Sequence, residues 1–194
     1  MLMIDLFCGR GGATKGFLAE GWECIGYDIN PQPLYPASFV QRDILTMDEH
    51  DLALADFVWA SSPCEEYAMW GMRHFHPNPK PPEMGLKLFR HTEHICIASG
   101  KAFVMENVRA AQQFVGKSVN HCGPFHFWGN AVPAIMPKEL YQVTKGFGAW
   151  DRQYILTTGS SKSKRRQELK SQWAEIPIVI SQYIAQCVTK MVNA

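Results

Sequence analysis

Four side chains with acidic or nucleophilic chemistry stand where strand-like segments of the sequence end. They are Asp28, Asp43, Cys64 and Glu106. Parallel strands present their carboxyl ends at one edge of a sheet, and open α/β sheets bind ligands at that edge. A cysteine exposed there can act as a thiolate nucleophile, and a carboxyl group in a partly apolar cleft can act as an acid. We therefore expect these four residues to share one site.

A glycine-rich turn follows the first strand-like segment and is typical of a nucleotide-cofactor site. Gly9, Gly11 and Gly12 would let the backbone approach a ligand at the start of a helix. Thr14 stands where a nicotinamide-dinucleotide fingerprint has its third glycine. Asp5 lies within the strand, where an acid suits a cationic ligand better than a pyrophosphate. The glycines alone also fit a tight turn of a flavodoxin-like sheet.

The elements that must position these groups alternate between strands and helices over the first 110 residues. Such alternation predicts an α/β fold with a mostly parallel, Rossmann-like sheet and right-handed crossovers. Beyond residue 115 the alternation fades into short irregular strands and turns, until a closing helix with an apolar face. The predicted strands span residues 2–7, 22–27, 39–42, 56–60 and 102–105, and the predicted helices span residues 13–20, 84–99 and 176–192.

Composition and charge exclude several classes of protein. The 194 residues are 46% hydrophobic and 19% charged, which supports a full core. No apolar run approaches the roughly 20 residues of a membrane span, and strand-like sequence begins almost at Met1, so we expect a soluble cytoplasmic protein without a signal peptide. The six cysteines form no CxxC pair and are expected to be reduced thiols.

The charge is divided unevenly along the chain. Residues 1–56 hold three basic and nine acidic residues, whereas the remainder holds sixteen basic and nine acidic ones. This split predicts a front part that avoids polyanions and a back part that contacts one.

Three motifs in the same order resemble the cytosine-C5 DNA methyltransferases. They are the segment from Asp5 to Gly12, Ser62-Pro63-Cys64, and Glu106-Asn107-Val108. The resemblance covers about residues 2–110 and implies the sheet of an S-adenosylmethionine-dependent methyltransferase. It implies S-adenosylmethionine as methyl donor, S-adenosylhomocysteine as product and no metal. The implied cofactor-binding residues are Asp5, Phe7, Gly9, Gly11, Gly12, Asp28 (on the ribose), Ile29, Asp43 (on the adenine amine), Ile44 and Pro63.

The same resemblance implies a reaction on a cytosine that has left the double-stranded DNA stack. Cys64 would attack C6, Glu106 would hold and protonate the N3 edge, and Asn107 would order the loop that bears the cysteine. The methyl group would then reach an electron-rich C5, and loss of the C5 proton would release Cys64.

The chain departs from the family where an arginine-rich motif and a large recognition domain would follow. We expect Lys162, Lys164, Arg165 and Arg166 to replace the arginines as DNA contacts. The predicted division is a catalytic domain over residues 1–114, a reduced recognition lobe over 115–170 and a C-terminal segment over 171–194 that packs back on the catalytic domain. This layout is similar to that of phage and prophage members, which predicts a monomer in the cytoplasm of a bacterial or phage-infected cell.

Three other functions stay open at this point. Some relatives of this family methylate tRNA, so an RNA cytosine is an alternative substrate. The chain could also be a cofactor- or DNA-binding remnant without turnover, although the presence of Cys64 and Glu106 argues against this. An amino-group methyltransferase would need a second proline and an aromatic residue after Pro63, where the chain has Cys64 and Glu65.

Overall fold

The computed structural model describes residues 1–144, 163 and 175–193. Within them, seven strands form one sheet in the order β3-β2-β1-β4-β5-β7-β6. The strands are β1 (Leu2–Leu6), β2 (Glu23–Asp28), β3 (Ser38–Gln41), β4 (Phe57–Ser61), β5 (Ala102–Val108), β6 (Asn120–Cys122) and β7 (Phe125–Trp128). The helices are α1 (Gly12–Ala19), α2 (Glu65–Gly71), α3 (Glu83–Ser99), α4 (Gln112–Val115) and α5 (Ile178–Val192).

The first five strands of the sheet are parallel, and β7 is antiparallel to both β5 and β6. The strand order reverses between β1 and β4, because the chain builds outward to β3 before it returns to the other side of β1. At such a switch point the connections leave in opposite directions and open a crevice at the carboxyl edge. This arrangement confirms the predicted Rossmann-like fold and predicts a ligand site between β1 and β4.

Apolar residues alternate along β1 and β4 and pack against helices on both faces of the sheet. Met3, Phe57 and Trp59 lie in a core with α1 and α5, whereas Ile4 and Val58 lie in a core with α3. Each face is therefore covered, as the continuous hydrophobic runs of parallel strands require. The buried sheet gives its carboxyl-edge residues a rigid base.

The predicted strands and helices agree with those of the structure to within one or two residues at their ends, with three larger differences. β5 continues to Val108 because β7 pairs with its end, so Glu106 lies inside the strand, where the sequence placed it beyond the end. Residues 65–71, for which the sequence predicted no helix, form α2. Residues 120–128, expected within the recognition lobe, supply β6 and β7 of the catalytic sheet.

Of that lobe, residues 145–162 and 164–170 lie outside the described residues. The division of the chain into domains therefore stays a prediction. No helix in the described ranges is long and apolar enough to cross a membrane.

Candidate active site

The turn between β1 and α1 depends on backbone conformations that favour glycine. Gly9 and Gly11 have φ angles of 49° and 76°, in the left-handed region. A Cβ atom on Gly11 would lie 2.5 Å from Cδ of Pro36, whereas one on Gly9 would meet nothing within 4 Å. The space over Gly9 is thus open, and a ligand can approach its backbone closely. Phe7, just before the turn, is the one non-glycine residue with positive φ in the described chain.

Asp28 ties the end of β2 to this turn. Its Oδ2 accepts a hydrogen bond from the Gly9 backbone N–H at 3.2 Å, and its Oδ1 accepts one from the Asn30 N–H at 2.9 Å. The carboxylate therefore orients the glycine turn. Ile29, the next residue, is 57% exposed and offers an apolar surface beside it.

Asp43 caps a short 3-10 turn, Ile44–Thr46, after β3. Its Oδ1 accepts a hydrogen bond from the Leu45 N–H at 3.0 Å. The Ile44 side chain is buried in the core with α3, so only its backbone can face a ligand. His91 of α3 steadies the same turn, because its Nε2 lies 2.9 Å from the Ile44 carbonyl oxygen and 3.1 Å from that of Met47.

Asp5 lies beneath the glycine turn and is buried. Thr14 donates a hydrogen bond to its Oδ2 at 2.6 Å, and the Tyr35 hydroxyl lies 2.6 Å from the Thr14 hydroxyl. Burial raises the pKa of Asp5 to about 7, and the nearby Asp28 adds to the rise. Thr14 and Tyr35 are polar partners that sequence reasoning missed, since only the tertiary fold brings them to Asp5.

The C-terminal segment closes over the same turn. A Cβ atom on Gly12 would lie 2.5 Å from the Ile176 backbone nitrogen, so glycine is required for this contact. Ser181 donates a hydrogen bond to the Gly12 carbonyl oxygen at 3.2 Å. Glu175 pairs with Arg10 and Lys15, with both N–O distances 2.7 Å. These contacts between distant parts of the chain carry no sequence signal of their own.

Cys64 and Glu106 come from neighbouring parts of the sheet, Cys64 at the start of the helix after β4 and Glu106 within β5. Ser61, which precedes Cys64 by three residues, pairs with Glu106 in the parallel register of β4 and β5. Cys64 is half-buried at the start of α2, and Glu106 is 7% exposed. Neighbouring strands are about 4.8 Å apart, so the backbone of the segment that leads to Cys64 runs close to that of Glu106. Pro63, directly before Cys64, is exposed.

Asn107 connects the two strands beyond Glu106. Its Nδ2 donates to the Ser62 carbonyl oxygen at 3.0 Å and to the Ser62 hydroxyl at 3.1 Å, inside the protein. Since Ser62 leads directly into Pro63 and Cys64, the buried amide fixes the segment that bears the cysteine. These contacts support the prediction that Asn107 orders the loop that bears Cys64.

Two histidines continue the edge beyond β5. His126 of β7 pairs with Asn107 in the antiparallel register, and its ring stacks on that of His121, with centroids 5.1 Å apart. Its Nδ1 lies 3.0 Å from the Ser118 hydroxyl. Burial, aided by His121 and Arg109, lowers the pKa of His126 to about 4, so it is neutral at physiological pH. Sequence reasoning missed this histidine pair and noted only that the arginine-rich motif of the family is absent from this part of the chain.

Two stretches of the chain, after Glu66 and after Glu106, contain no acidic residue. Residues 67–82 and 107–138 contain no Asp or Glu, but they contain Arg73, Lys80, Arg109, Lys117 and Lys138. We call these two stretches the acid-free rim. Their lack of acids is the sequence signal that could have located it. The predicted DNA contacts Lys162, Lys164, Arg165 and Arg166 lie outside the described residues. In the part that is described, no group of three or more His, Cys, Asp or Glu residues is arranged to hold a metal.

A Rossmann-like sheet with a glycine turn at one strand end and a cysteine–glutamate pair at two others defines a class of cofactor-dependent transferases. The family model for C-5 cytosine-specific DNA methylases matches residues 1–121. This is more than half of the chain, and the chain therefore belongs to the C-5 cytosine-specific DNA methylase family.

Solved structures of methyltransferases are also similar to the chain. A candidate DNA modification methyltransferase encoded within an E. coli prophage matches 59% of this chain and 34% of its own, with 18% identity and a TM-score of 0.45. The Entamoeba histolytica methyltransferase EhMeth matches 58% of this chain and 39% of its own, with 16% identity and a TM-score of 0.42. The S. pombe Dnmt2 methyltransferase matches 58% and 36%, with 16% identity and a TM-score of 0.42.

The chain thus spans little more than a third of these structures. No curated protein matches it.

Proposed function

We propose that the protein transfers a methyl group from S-adenosylmethionine to C5 of a cytosine in double-stranded DNA, through a covalent Cys64 adduct. The observation that supports this best is the placement of Cys64 just after β4 and of Glu106 in the adjacent strand β5, with the cysteine segment fixed by Asn107. Family membership supports the same reaction. A nucleophile and an acid on opposite sides of one small region are what addition across a pyrimidine C5–C6 bond requires.

The residues on the β1–β3 side fit the proposed cofactor. The open space over Gly9 lets the ligand lie against the backbone of the turn. The Asp28 carboxylate, next to this turn, can accept a hydrogen bond from a ribose hydroxyl. Exposed Ile29 can cover one face of an adenine, while Asp43 can accept from its amino group. When bound, S-adenosylmethionine supplies an electrophilic methyl group on a positively charged sulfur.

Cys64 supplies the step that makes the cytosine reactive. C5 of cytosine is a weak nucleophile, and addition of the thiolate to C6 moves electron density onto C5. Glu106, protonated, donates its proton to N3 as the C6–S bond forms, which prevents a negative charge from building up on the ring. After C5 is methylated, a solvent water or hydroxide takes the C5 proton, and the electrons of that C–H bond restore the C5–C6 double bond and expel Cys64 as a thiolate. N3 returns its proton to Glu106, which regenerates the acid.

Access to the base requires that it leave the duplex, because C6 and N3 are not reachable within the stack. The acid-free rim suits the flanking polyanion. Arg109 and Lys117 follow the Glu106 strand, and Arg73, with its guanidinium 4.8 Å above the Trp70 ring, follows the Cys64 helix. We include Lys162, Lys164, Arg165 and Arg166 as further phosphate contacts of a reduced recognition lobe.

Bisulfite sequencing tests this function directly. DNA and RNA are sequenced from cells that express the wild-type protein or Cys64→Ala. We expect protected cytosines in a short context, in DNA only and with the wild-type protein only. Protection confined to RNA would move the substrate to RNA, and equal protection with Cys64→Ala would refute the covalent mechanism. No protection in either nucleic acid, with a folded protein, would favour a binding remnant.

A further inference from the structure

A three-residue ion pair joins the glycine turn to the C-terminal segment. Oε1 of Glu175 lies 2.7 Å from Nε of Arg10, and Oε2 lies 2.7 Å from Nζ of Lys15. The Arg10 and Glu175 side chains are 25% and 21% exposed, so the pair is partly withdrawn from water. Such a pair is screened less than one on the open surface.

Arg10 has an unfavourable position for the ligand proposed above. It lies inside the turn itself, between Gly9 and Gly11, whereas the Asp28 carboxylate that orients the turn suits a cation. An uncompensated guanidinium at this point would repel a positively charged sulfur and would compete for Asp28. Glu175 reaches the turn from 165 residues away and places a negative charge directly on Arg10.

We propose that Glu175 is a positioning residue that offsets the positive charge of Arg10 and so favours a cationic sulfonium ligand at the turn more than it favours a neutral thioether. This inference rests on the proposed function, since it concerns the same cofactor. It goes further by assigning charge selectivity to a residue outside the turn, at the start of the closing segment.

S-adenosylmethionine and S-adenosylhomocysteine are the probes, because the first has a sulfonium and the second a neutral sulfur on an otherwise matching frame. Calorimetry gives the dissociation constant of each for the wild-type protein and for Glu175→Gln, which preserves the shape of the side chain. We expect S-adenosylmethionine to bind about three- to tenfold more weakly to Glu175→Gln, the effect of one unit charge across a small, partly solvated site. Binding of S-adenosylhomocysteine should change less than about twofold by the same argument.

Two further variants separate charge from packing. Arg10→Gln removes the cation itself, so the double variant with Glu175→Gln should recover most of the wild-type ratio between the two ligands. Glu20→Gln is the matched control at the other end of α1, where Glu20 accepts hydrogen bonds from Gln182 and Gln186 of the same closing segment. It should leave the ratio unchanged.

The outcomes separate this inference from the function on which it rests. Equal weakening of both ligands in Glu175→Gln, or no recovery in the double variant, would reduce Glu175 to a structural contact. If Glu175→Gln does not fold, Arg10→Gln alone decides, because it should strengthen S-adenosylmethionine relative to S-adenosylhomocysteine. Failure of the wild-type protein to bind either ligand would instead refute the proposed cofactor.

Discussion

The two sides of the sheet, β1–β3 and β4–β7, fix their loops with different chemistry. On the β1–β3 side the caps are carboxylates: Asp28 accepts from the Gly9 N–H, Asp43 from the Leu45 N–H, and Asp48 from the His50 N–H. On the β4–β7 side most of the loop contacts named here come from neutral amides, and the Glu66 carboxylate, which accepts from the Gly85 N–H at 2.6 Å, is an exception. Asn107 donates to Ser62, Asn120 to Pro133, and Asn130 both accepts from Phe103 and donates to Lys101.

The two kinds of cap differ in hydrogen-bond direction as well as in charge, because the amides donate to carbonyl oxygens and a carboxylate can only accept. A carboxylate leaves a negative charge at the sheet edge, which favours a cation and repels phosphate. Amide caps fix the loops without that charge. Under the proposed function this difference suits two ligands of opposite charge, which would meet at the switch point between β1 and β4. The predictions below test this division, beginning with the largest expected effect.

Replacing Cys64 with alanine should abolish the reaction proposed for the β4–β7 side and leave cofactor binding on the β1–β3 side intact. Methyl transfer should fall below detection, because no other group can form the C6 adduct, while S-adenosylmethionine should bind as in the wild-type protein. Tritiated methyl incorporation measures the first and calorimetry the second. Cys187→Ala, in α5, is the control and should retain activity. Substantial turnover by Cys64→Ala would place the chemistry elsewhere.

Asp5 makes the stability of the β1–β3 side depend on pH. Its pKa is about 7 in the folded protein, against an ordinary value of 3.8. Below pH 4 both states are protonated, and as the pH rises to 7 only the unfolded chain loses this proton. The native state should therefore lose up to about 4 kcal/mol over that interval, by linkage. Asp5→Asn should lack this loss in urea titrations at pH 4, 5.5 and 7.

A second acid on the same side, Asp51, should change the stability with pH in the opposite direction. Arg42 holds the pKa of Asp51 below its usual range, so Asp51 contributes stability that is present at neutral pH and lost on acidification. Relative to the wild-type protein, Asp51→Asn should therefore be least stable at neutral pH, whereas Asp5→Asn should be most stable there. Parallel curves for the two variants would contradict the assignment of Asp5.

Glu106→Gln tests the acid on the other side of the boundary. The amide has nearly the same shape but cannot donate a carboxyl proton to N3, so single-turnover methylation should slow by about a hundredfold or more, the usual contribution of a general acid. Exposed Glu139 provides the control, and Glu139→Gln should react at the wild-type rate. An unchanged rate for Glu106→Gln would remove Glu106 from the reaction.

Sequence reasoning succeeded where the signal is local. The runs before Cys8 and Ser62 are apolar and end in turn residues, so β1 and β4 were predicted nearly to the residue. It failed where pairing is distant. Nothing near Glu106 shows that β7 will extend its strand, and nothing near Arg10 shows that Glu175 will reach it. Such contacts depend on how elements far apart in sequence pack together.

The smallest expected effect tests the use of amides most directly. Gln112 accepts through Oε1 from the Ser118 N–H at 3.1 Å, a bond that a carboxylate can also accept. Gln112→Glu loses only the exposed, 3.3 Å bond from Nε2 to the Arg109 carbonyl oxygen, so it should fold and add a negative charge within the acid-free stretch. Duplex binding should weaken by about three- to fivefold at low salt, the size of one surface charge, and the loss should disappear as salt screens it.

Gln41→Glu adds the same charge at the end of β3 and is the matched control. If the two sides differ as argued, it should leave duplex affinity unchanged at every salt concentration, as measured by fluorescence anisotropy with a labelled duplex. Equal effects of the two variants would mean that nucleic acid responds only to the total charge. No effect of Gln112→Glu would mean that the acid-free stretch lies away from the phosphates, and the contacts would then fall to residues such as Arg165 and Arg166.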